Sequence, residues 1–520
     1  MKLVTAAQMQ AIEEASSDRG ISFDQLMENA GRMVADTVST ALDGYRKIFG
    51  KRLLVLVGPG NNGSDGLVAA RHLSKDGAVV TAILCAHRKS PDTKRDLAEA
   101  AGVAIINGVP EKVLAILKEK IESSDMVIDA VLGTGTSRPI SEPLRSLIRT
   151  VREADVPVSA LDLPSGLNSD TGEFDVAGLP ANLTMMLGYP KLGTVISDSP
   201  SSIGKPAVLD IGIPPDLDTD ITAELMTTDN SAQLQPYRPH HAHKGTFGTV
   251  LVVGGSKEFI GAAALSADAA TRSGVGLTYV AVPEPAYRQI AGKIPDAIYR
   301  SLPVSTSGII DPLTAVPTVV ELSKHVASIV IGPGLGHNPS TTEFLWRLLP
   351  RLNKKTPIVL DADALNILAE SDRWSERVGN PAVLTPHPGE MAKLLGTSIA
   401  EVQRDRIGTV LDAAKRFNKV VILKGAATII ATPKGELRVS DWVNHGLSKG
   451  GSGDVLAGLI GGLLAQEPTQ VYDMASLGVF THGYAGDAAR KDIGETGMRA
   501  TDVIERLGHF YRDIIQRNQK

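Results

Sequence analysis

Short, continuously apolar runs alternate along this chain with segments whose apolar positions recur every three or four residues. The run LLVLV at 53–57 has no polar face, as in a strand buried on both sides, and similar runs fall at 79–84, 103–106, 126–130 and 158–161. Helical periodicity precedes them at 5–17 and 22–42, the second opened by Ser22 with Gln25 in capping-box spacing and carrying Leu26, Ala30, Met33, Val34 and Val38 on one face. Strands then resume at 248–253, 277–282, 328–331, 357–360, 382–384 and 420–423, and an apolar helix is predicted from Val455. Strand and helix in alternation predict parallel, doubly wound sheets, so the fold class is α/β. The stretch 215–224, rich in Pro, Asp and Thr and without periodicity, predicts two domains, 1–215 and 225–520.

In such sheets ligands bind beyond the C-terminal strand ends, and here those ends carry the chemistry. GPGNNGSDG at 58–66 contains GxGxxG, but ILCAHRK at 83–89 lacks the acid that a dinucleotide site places on the ribose and offers at best a 2′-phosphate partner. Asn61, Asn62 and Asp65 add carbonyls and a carboxylate suited to a sugar hydroxyl or a cation. DAVLGTGTSRP at 129–139 and LDLPSG at 161–166 complete one sheet edge. The second half supplies GPGLG at 332–336, DADALN at 361–366, TPHPGE at 385–390 and KGAAT at 424–428. NHGLSKGGSGD at 444–454 ends in glycines before the apolar helix, an anion cradle in which Asp454 either caps the helix or takes a proton from an attacking hydroxyl. There is no GxxxxGK[ST].

Composition narrows the classes. A net charge of −5 and a pI near 6.2 give no general reason to bind nucleic acid or an anionic membrane. One cysteine, Cys85, excludes an internal disulfide and a cysteine metal cluster, and the early polar N-terminus points to a cytoplasmic protein. His240, His241 and His243 form a short tract read as solvated, not as a metal site.

GPGNNGSDG, DAVLGTGTSRP and LDLPSG, in that order, resemble the NAD(P)H-hydrate epimerase domain, a Rossmann-like three-layer sandwich. The resemblance implies that Asn61, Asn62, Gly63, Ser64, Asp65 and Gly133, Thr134, Gly135, Thr136, Ser137, Arg138, Pro139 contact hydrated nucleotide. It also implies that Asp162 is the acid–base residue and that Asn62, Asp129 and Ser165 bind K⁺. The second half, from HKGTFG at 243–248 to KGGSGD, resembles the ribokinase-like ADP- or ATP-dependent NAD(P)H-hydrate dehydratase. By that resemblance Lys424, Gly425, Ala426, Ala427, Thr428 and Asn444, His445, Gly446, Leu447, Ser448, Lys449, Gly450, Gly451, Ser452, Gly453 hold ADP. Ala263, Gly334, Gly336, His387 and Asp454 hold the hydrate, with Asp454 catalytic and Mg²⁺ accompanying the nucleotide. The implied substrates are NADHX and NADPHX, and a homo-oligomer is expected. The alternative is a ribokinase-like kinase for a vitamin or sugar alcohol joined to a non-catalytic Rossmann-like binding domain.

Overall fold

The computed structural model describes all residues except 43–47, 108–109, 136–137 and 519–520. It divides into two compact units, Lys2–Ala223 and Glu224–Lys520, the latter with Met1.

The first unit is built on seven parallel strands: β1 (Arg52–Val57), β2 (Val79–Leu84), β3 (Ala104–Asn107), β4 (Met126–Ala130), β5 (Val158–Leu161), β6 (Leu183–Leu187) and β7 (Lys205–Leu209). Their order, β3-β2-β1-β4-β5-β6-β7, reverses direction between β1 and β4. Ligands of doubly wound sheets occupy the crevice at that reversal. Leu53 to Val57 are all buried, which is why the run has no polar face. The first helix is Ala6–Asp18, with Thr5 and Gln8 closing a capping box. The second is Phe23–Leu42, where the Gln25 N–H donates to Ser22 Oγ at 3.2 Å.

The second unit has a ten-stranded sheet. Its strands are β8 (Ala223–Leu225), β9 (Thr249–Val253), β10 (Leu277–Pro283), β11 (Ala297–Leu302), β12 (Ser328–Ile331), β13 (Ile358–Leu360), β14 (Ala382–Leu384), β15 (Val420–Leu423), β16 (Thr428–Ala431) and β17 (Leu437–Ser440). The order is β11-β10-β9-β12-β13-β14-β15-β16-β17-β8, parallel from β11 to β15 and antiparallel between β15, β16 and β17. Behind it lies the helix Ser452–Gln466, buried along nearly its whole length. A Cβ on Gly458 would stand 1.9 Å from the Ser266 carbonyl oxygen, so glycine is what lets this helix touch the helix Ile260–Arg272 through backbone. That contact anchors the loop in front of the helix against a rigid element.

Among the described residues, no helix is long and apolar enough to cross a membrane.

Candidate active sites

The first cavity, about 700 Å³, opens at the C-terminal ends of β1, β4 and β5. A Cβ on Gly58 would lie 1.8 Å from the Val131 carbonyl oxygen, so the loops after β1 and β4 meet backbone to backbone. Arg88 locks the first loop: Nη1 donates to the Gly58 and Gly60 carbonyls at 2.5 and 3.3 Å, Nη2 to Ser64 Oγ at 2.8 Å, and Nε to Asp92 at 2.6 Å. Its guanidinium is thus spent on the loop, which removes the one feature that had suited a 2′-phosphate. Gly63 and Ser64 belong to the same scaffold and do not line the cavity, whereas Asn61, Asn62, Asp65, Gly133, Thr134, Gly135 and Asp162 do. Arg138 and Pro139 line a neighbouring cavity of about 290 Å³. Thr136 and Ser137 lie outside the described residues.

Asp162 follows β5 with φ 65, a left-handed conformation rare for any residue but glycine and frequent at functional strand ends. Its Oδ1 accepts from Lys191 Nζ at 2.5 Å and from the Leu187 N–H at 3.1 Å. Glu13 and Lys191 also line this cavity, and neither was anticipated. Burial, reinforced by the charge of Asp162, pushes the carboxyls of Glu13 and Asp65 above their ordinary range, although Lys191 draws both down.

The three expected potassium ligands gather around one turn. Asp129, with no exposed surface, accepts from Ser165 N and Oγ at 2.8 and 2.7 Å and from Val131 N at 3.2 Å. The Leu132 N–H donates to Ser165 Oγ at 3.0 Å, and Asn62 Nδ2 donates to the Leu132 carbonyl at 2.9 Å. Burial lifts the Asp129 carboxyl to about 6 despite these bonds, because among the described residues no cationic side chain pairs with it. A carboxylate, a hydroxyl and an amide carbonyl beside an uncompensated buried charge suit a hard monovalent cation.

The second cavity, about 550 Å³, lies past β13, β14 and β15. Asp361 follows β13, and Ala362 beside it has φ 50. Asp361 Oδ1 accepts from Thr385 Oγ1 at 2.7 Å and Lys424 Nζ at 2.9 Å, while Lys424 also stands 3.8 Å from Glu390. Burial alone would lower the Lys424 ammonium, but Asp361 and Glu390 hold it above its ordinary value. His387 caps the helix Pro388–Leu395, its Nδ1 accepting from Gly389 N at 3.0 Å while its backbone N–H donates to Glu390 Oε2 at 2.8 Å.

The helix after the glycines begins at Ser452, three residues earlier than its apolar run suggested. Gly451, at φ 95, stands before it and no side chain caps it. Asp454 therefore sits in the first turn as an uncommitted carboxylate. Burial, with the charge of Asp361 second, pushes it to about 7 against the pull of Lys424. A helix N-terminus by itself would make it a weaker base, but desolvation outweighs the dipole, which is worth roughly 0.3–1 kcal/mol at an exposed terminus.

Lys424, Gly425, Ala426, Thr428, Asn444, His445, Leu447, Ser448, Lys449, Gly451, Ser452, Gly453, His387 and Asp454 line this cavity, as do Asp361 of the DADALN loop and the unanticipated Trp442 and His482. Ala427, Gly446 and Gly450 do not, and Gly446 is packed so closely that a Cβ would meet Met498 Sδ at 2.1 Å. Gly334 and Gly336 lie outside it, the Gly336 N–H donating to Asp363 at 2.8 Å. Ala263 has no exposed surface and packs in the core.

His482 Nε2 lies 3.3 Å from Ser452 Oγ, and burial holds its imidazole down to about 4. The fold thus favours the neutral ring, and between about pH 4 and the ordinary value near 6.5 the unfolded chain binds the extra proton. The contribution of His482 to stability is expected to fall as pH drops through that window, by up to ~3 kcal/mol at about 1.4 kcal/mol per unit, while the raised carboxyls of Asp454 and Glu390 contribute in the opposite sense. All three tryptophans, Trp346, Trp374 and Trp442, lie in the second half, so denaturant titrations followed by tryptophan fluorescence at pH 7 and pH 5 report this domain. His482→Gln is expected to be more stable relative to the wild type at pH 5 than at pH 7, because the variant lacks the proton uptake of the unfolded histidine while the carboxyls are common to both.

Comparison with known proteins bears on both halves. The profile of the NAD(P)H-hydrate dehydratase family matches residues 250–508, and that of the YjeF-related protein N-terminus matches 23–193. Proteins named bifunctional NAD(P)H-hydrate repair enzyme Nnr are similar throughout. The one from Moorella thermoacetica is 37% identical, covering 99% of this chain and 97% of the relative. That from Thermofilum pendens is 33% identical, again over 99% and 97%. The crystal structure of an ADP/ATP-dependent NAD(P)H-hydrate dehydratase from Bacillus subtilis, co-crystallised with ATP/Mg²⁺, is 28% identical with a TM-score of 0.49, covering 55% of this chain and 97% of that one. Both units are α/β, the first on an all-parallel sheet and the second on a sheet that is parallel from β11 to β15. With identity sustained from end to end across both matched regions, the chain belongs to the family of bifunctional NAD(P)H-hydrate repair enzymes.

Proposed function

We infer that this enzyme repairs hydrated NADH and NADPH, interconverting the R and S forms of NAD(P)HX and dehydrating the S form at the expense of ADP. The observation that carries the reading is full-length similarity to bifunctional repair enzymes, together with an acid-bearing cavity at a strand-end edge in each unit. We assign epimerisation to the first domain and dehydration to the second.

In the second domain the C6 hydroxyl of the hydrate attacks the terminal phosphorus of ADP, the bond to AMP breaks, and Asp454 takes the hydroxyl proton. Phosphate then leaves C6, pushed by the ring nitrogen, and loss of a proton from C5 restores the double bond of NAD(P)H. Asp454, at about 7, is matched to accepting a proton at neutral pH. Lys424 and the free N–H groups of Gly453 and Asp454 are placed to offset phosphate charge, which is most of what phosphoryl transfer asks of a protein. Mg²⁺ fits the donor chemistry: Asp361, Asp454 and Glu390 crowd more negative charge than Lys424 cancels, and the carboxylate of Asp361 would hold the ion, leaving Asp454 to the hydroxyl proton. When bound, it supplies charge neutralisation at the nucleotide phosphates.

In the first domain Asp162 exchanges a proton with the C6 oxygen as that oxygen leaves one face of the ring and returns to the other. Asn62, Asp129 and Ser165 would hold K⁺. Its presence is expected to stabilise this domain by ~1.4–2.7 kcal/mol at ten to a hundred times Kd, seen as a higher melting temperature in KCl than in choline chloride by calorimetry. Asp129→Asn should remove that difference.

Purified enzyme given each epimer with ADP decides the overall reading through absorbance of NAD(P)H and release of phosphate. A stable phosphorylated product without NAD(P)H would instead identify a kinase.

A further inference from the structure

The proposed chemistry of the first domain uses Asp162 but leaves unexplained why a buried ammonium is bonded to it. Lys191 is 1% exposed, and its Nζ donates to Asp162 Oδ1 at 2.5 Å and to the Leu187 carbonyl at 2.9 Å. The Leu187 N–H donates to that same oxygen at 3.1 Å. Oδ2 accepts no hydrogen bond from any described residue, and both side chains line the cavity. Burying two opposite charges gains little over an apolar pair of similar volume, so stability gives a poor account of this one. Its geometric effect is definite: one carboxylate oxygen is occupied twice and the other is left to the cavity.

We propose that Lys191 is the positioning residue of the epimerising site, occupying Oδ1 so that Asp162 presents Oδ2 alone, in one orientation, to the C6 oxygen of bound NAD(P)HX. This rests on the assignment of epimerisation to the first domain. A carboxylate free to turn about its Cβ–Cγ bond would hold the proton-exchanging orientation only part of the time, and misplacement of about 1 Å can cost 10²-fold in rate. The left-handed backbone at Asp162 and the bond from Leu187 fix the root of the side chain, and Lys191 fixes its end.

The test uses the full-length enzyme with ADP and the R epimer, whose conversion to NAD(P)H above the uncatalysed background requires epimerisation. The S epimer is the internal control for the second domain. Lys191→Ala is expected to lower kcat for the R epimer by roughly 10²-fold with KM little changed and S-epimer dehydration intact. Added ethylammonium should restore much of the loss and 1-propanol, of similar size but neutral, should not, while Lys191→Arg should keep more activity than Lys191→Ala. Restoration by either positive charge alone, the ion or the arginine, supports the inference. It is overturned by wild-type kcat in Lys191→Ala, by a loss confined to KM, by equal restoration with 1-propanol, or by failure of both charged replacements. Wild-type enzyme unable to use the R epimer would overturn the epimerase assignment itself, a separate outcome.

Discussion

Asp454→Ala is expected to lower kcat for ADP-dependent dehydration of the S epimer by roughly 10³-fold, within the 10²–10⁴-fold span of positioned proton transfer, while ADP binds within a few-fold of the original affinity. The two effects separate because the nucleotide would be gripped by other groups, chiefly Lys424 and the N–H groups of the helix start, none of which bonds to the Asp454 side chain. Removing a carboxylate from this crowd also relieves repulsion on Asp361 and Glu390, so folding should not suffer. Asp454→Asn keeps the shape and loses the base. If proton acceptance is the role, it is as inactive as the alanine variant. Retained turnover in either, measured as NAD(P)H formed per phosphate released, would contradict the assignment.

The residues that were legible in advance are those whose chemistry is local. β1 and β14 are buried strands written as apolar runs from Leu53 and Ala382, β4, β5 and β12 carry one polar residue each, and the glycines, acids and prolines at their ends mark the ligand-facing edge. β7 was not seen because Pro206 interrupts it, tolerable where it lies at the sheet edge. The antiparallel β16 and β17 hide in a region read only for its nucleotide loop. The missed site residues have a common cause. Lys191 acquires a role only by meeting Asp162, 29 positions away, and His482 only by meeting Ser452, 30 positions away. No window of sequence carries such a pairing.

Removing Asp162 should split the two activities. In Asp162→Ala the S epimer is still repaired at the original rate and the R form is stranded, because only the first domain would supply the other hand. The alanine variant carries a second consequence, however: Lys191, nearly without exposure, loses its counterion, and breaking one partner of such a pair costs ~3–5 kcal/mol. Stranding of the R epimer in that variant could therefore reflect a melted first domain. Asp162→Asn separates the causes. Its side-chain oxygen can still accept from Lys191 and from the Leu187 N–H, so the domain keeps its bonds at Oδ1, while an amide in place of Oδ2 accepts no proton at neutral pH. The expected result is a first-domain melting transition within a few degrees of the original by calorimetry and R-epimer conversion reduced by ~10²-fold or more. Equal rates on the two epimers in Asp162→Asn would remove Asp162 from the chemistry and leave its bond to Lys191 as a structural tie.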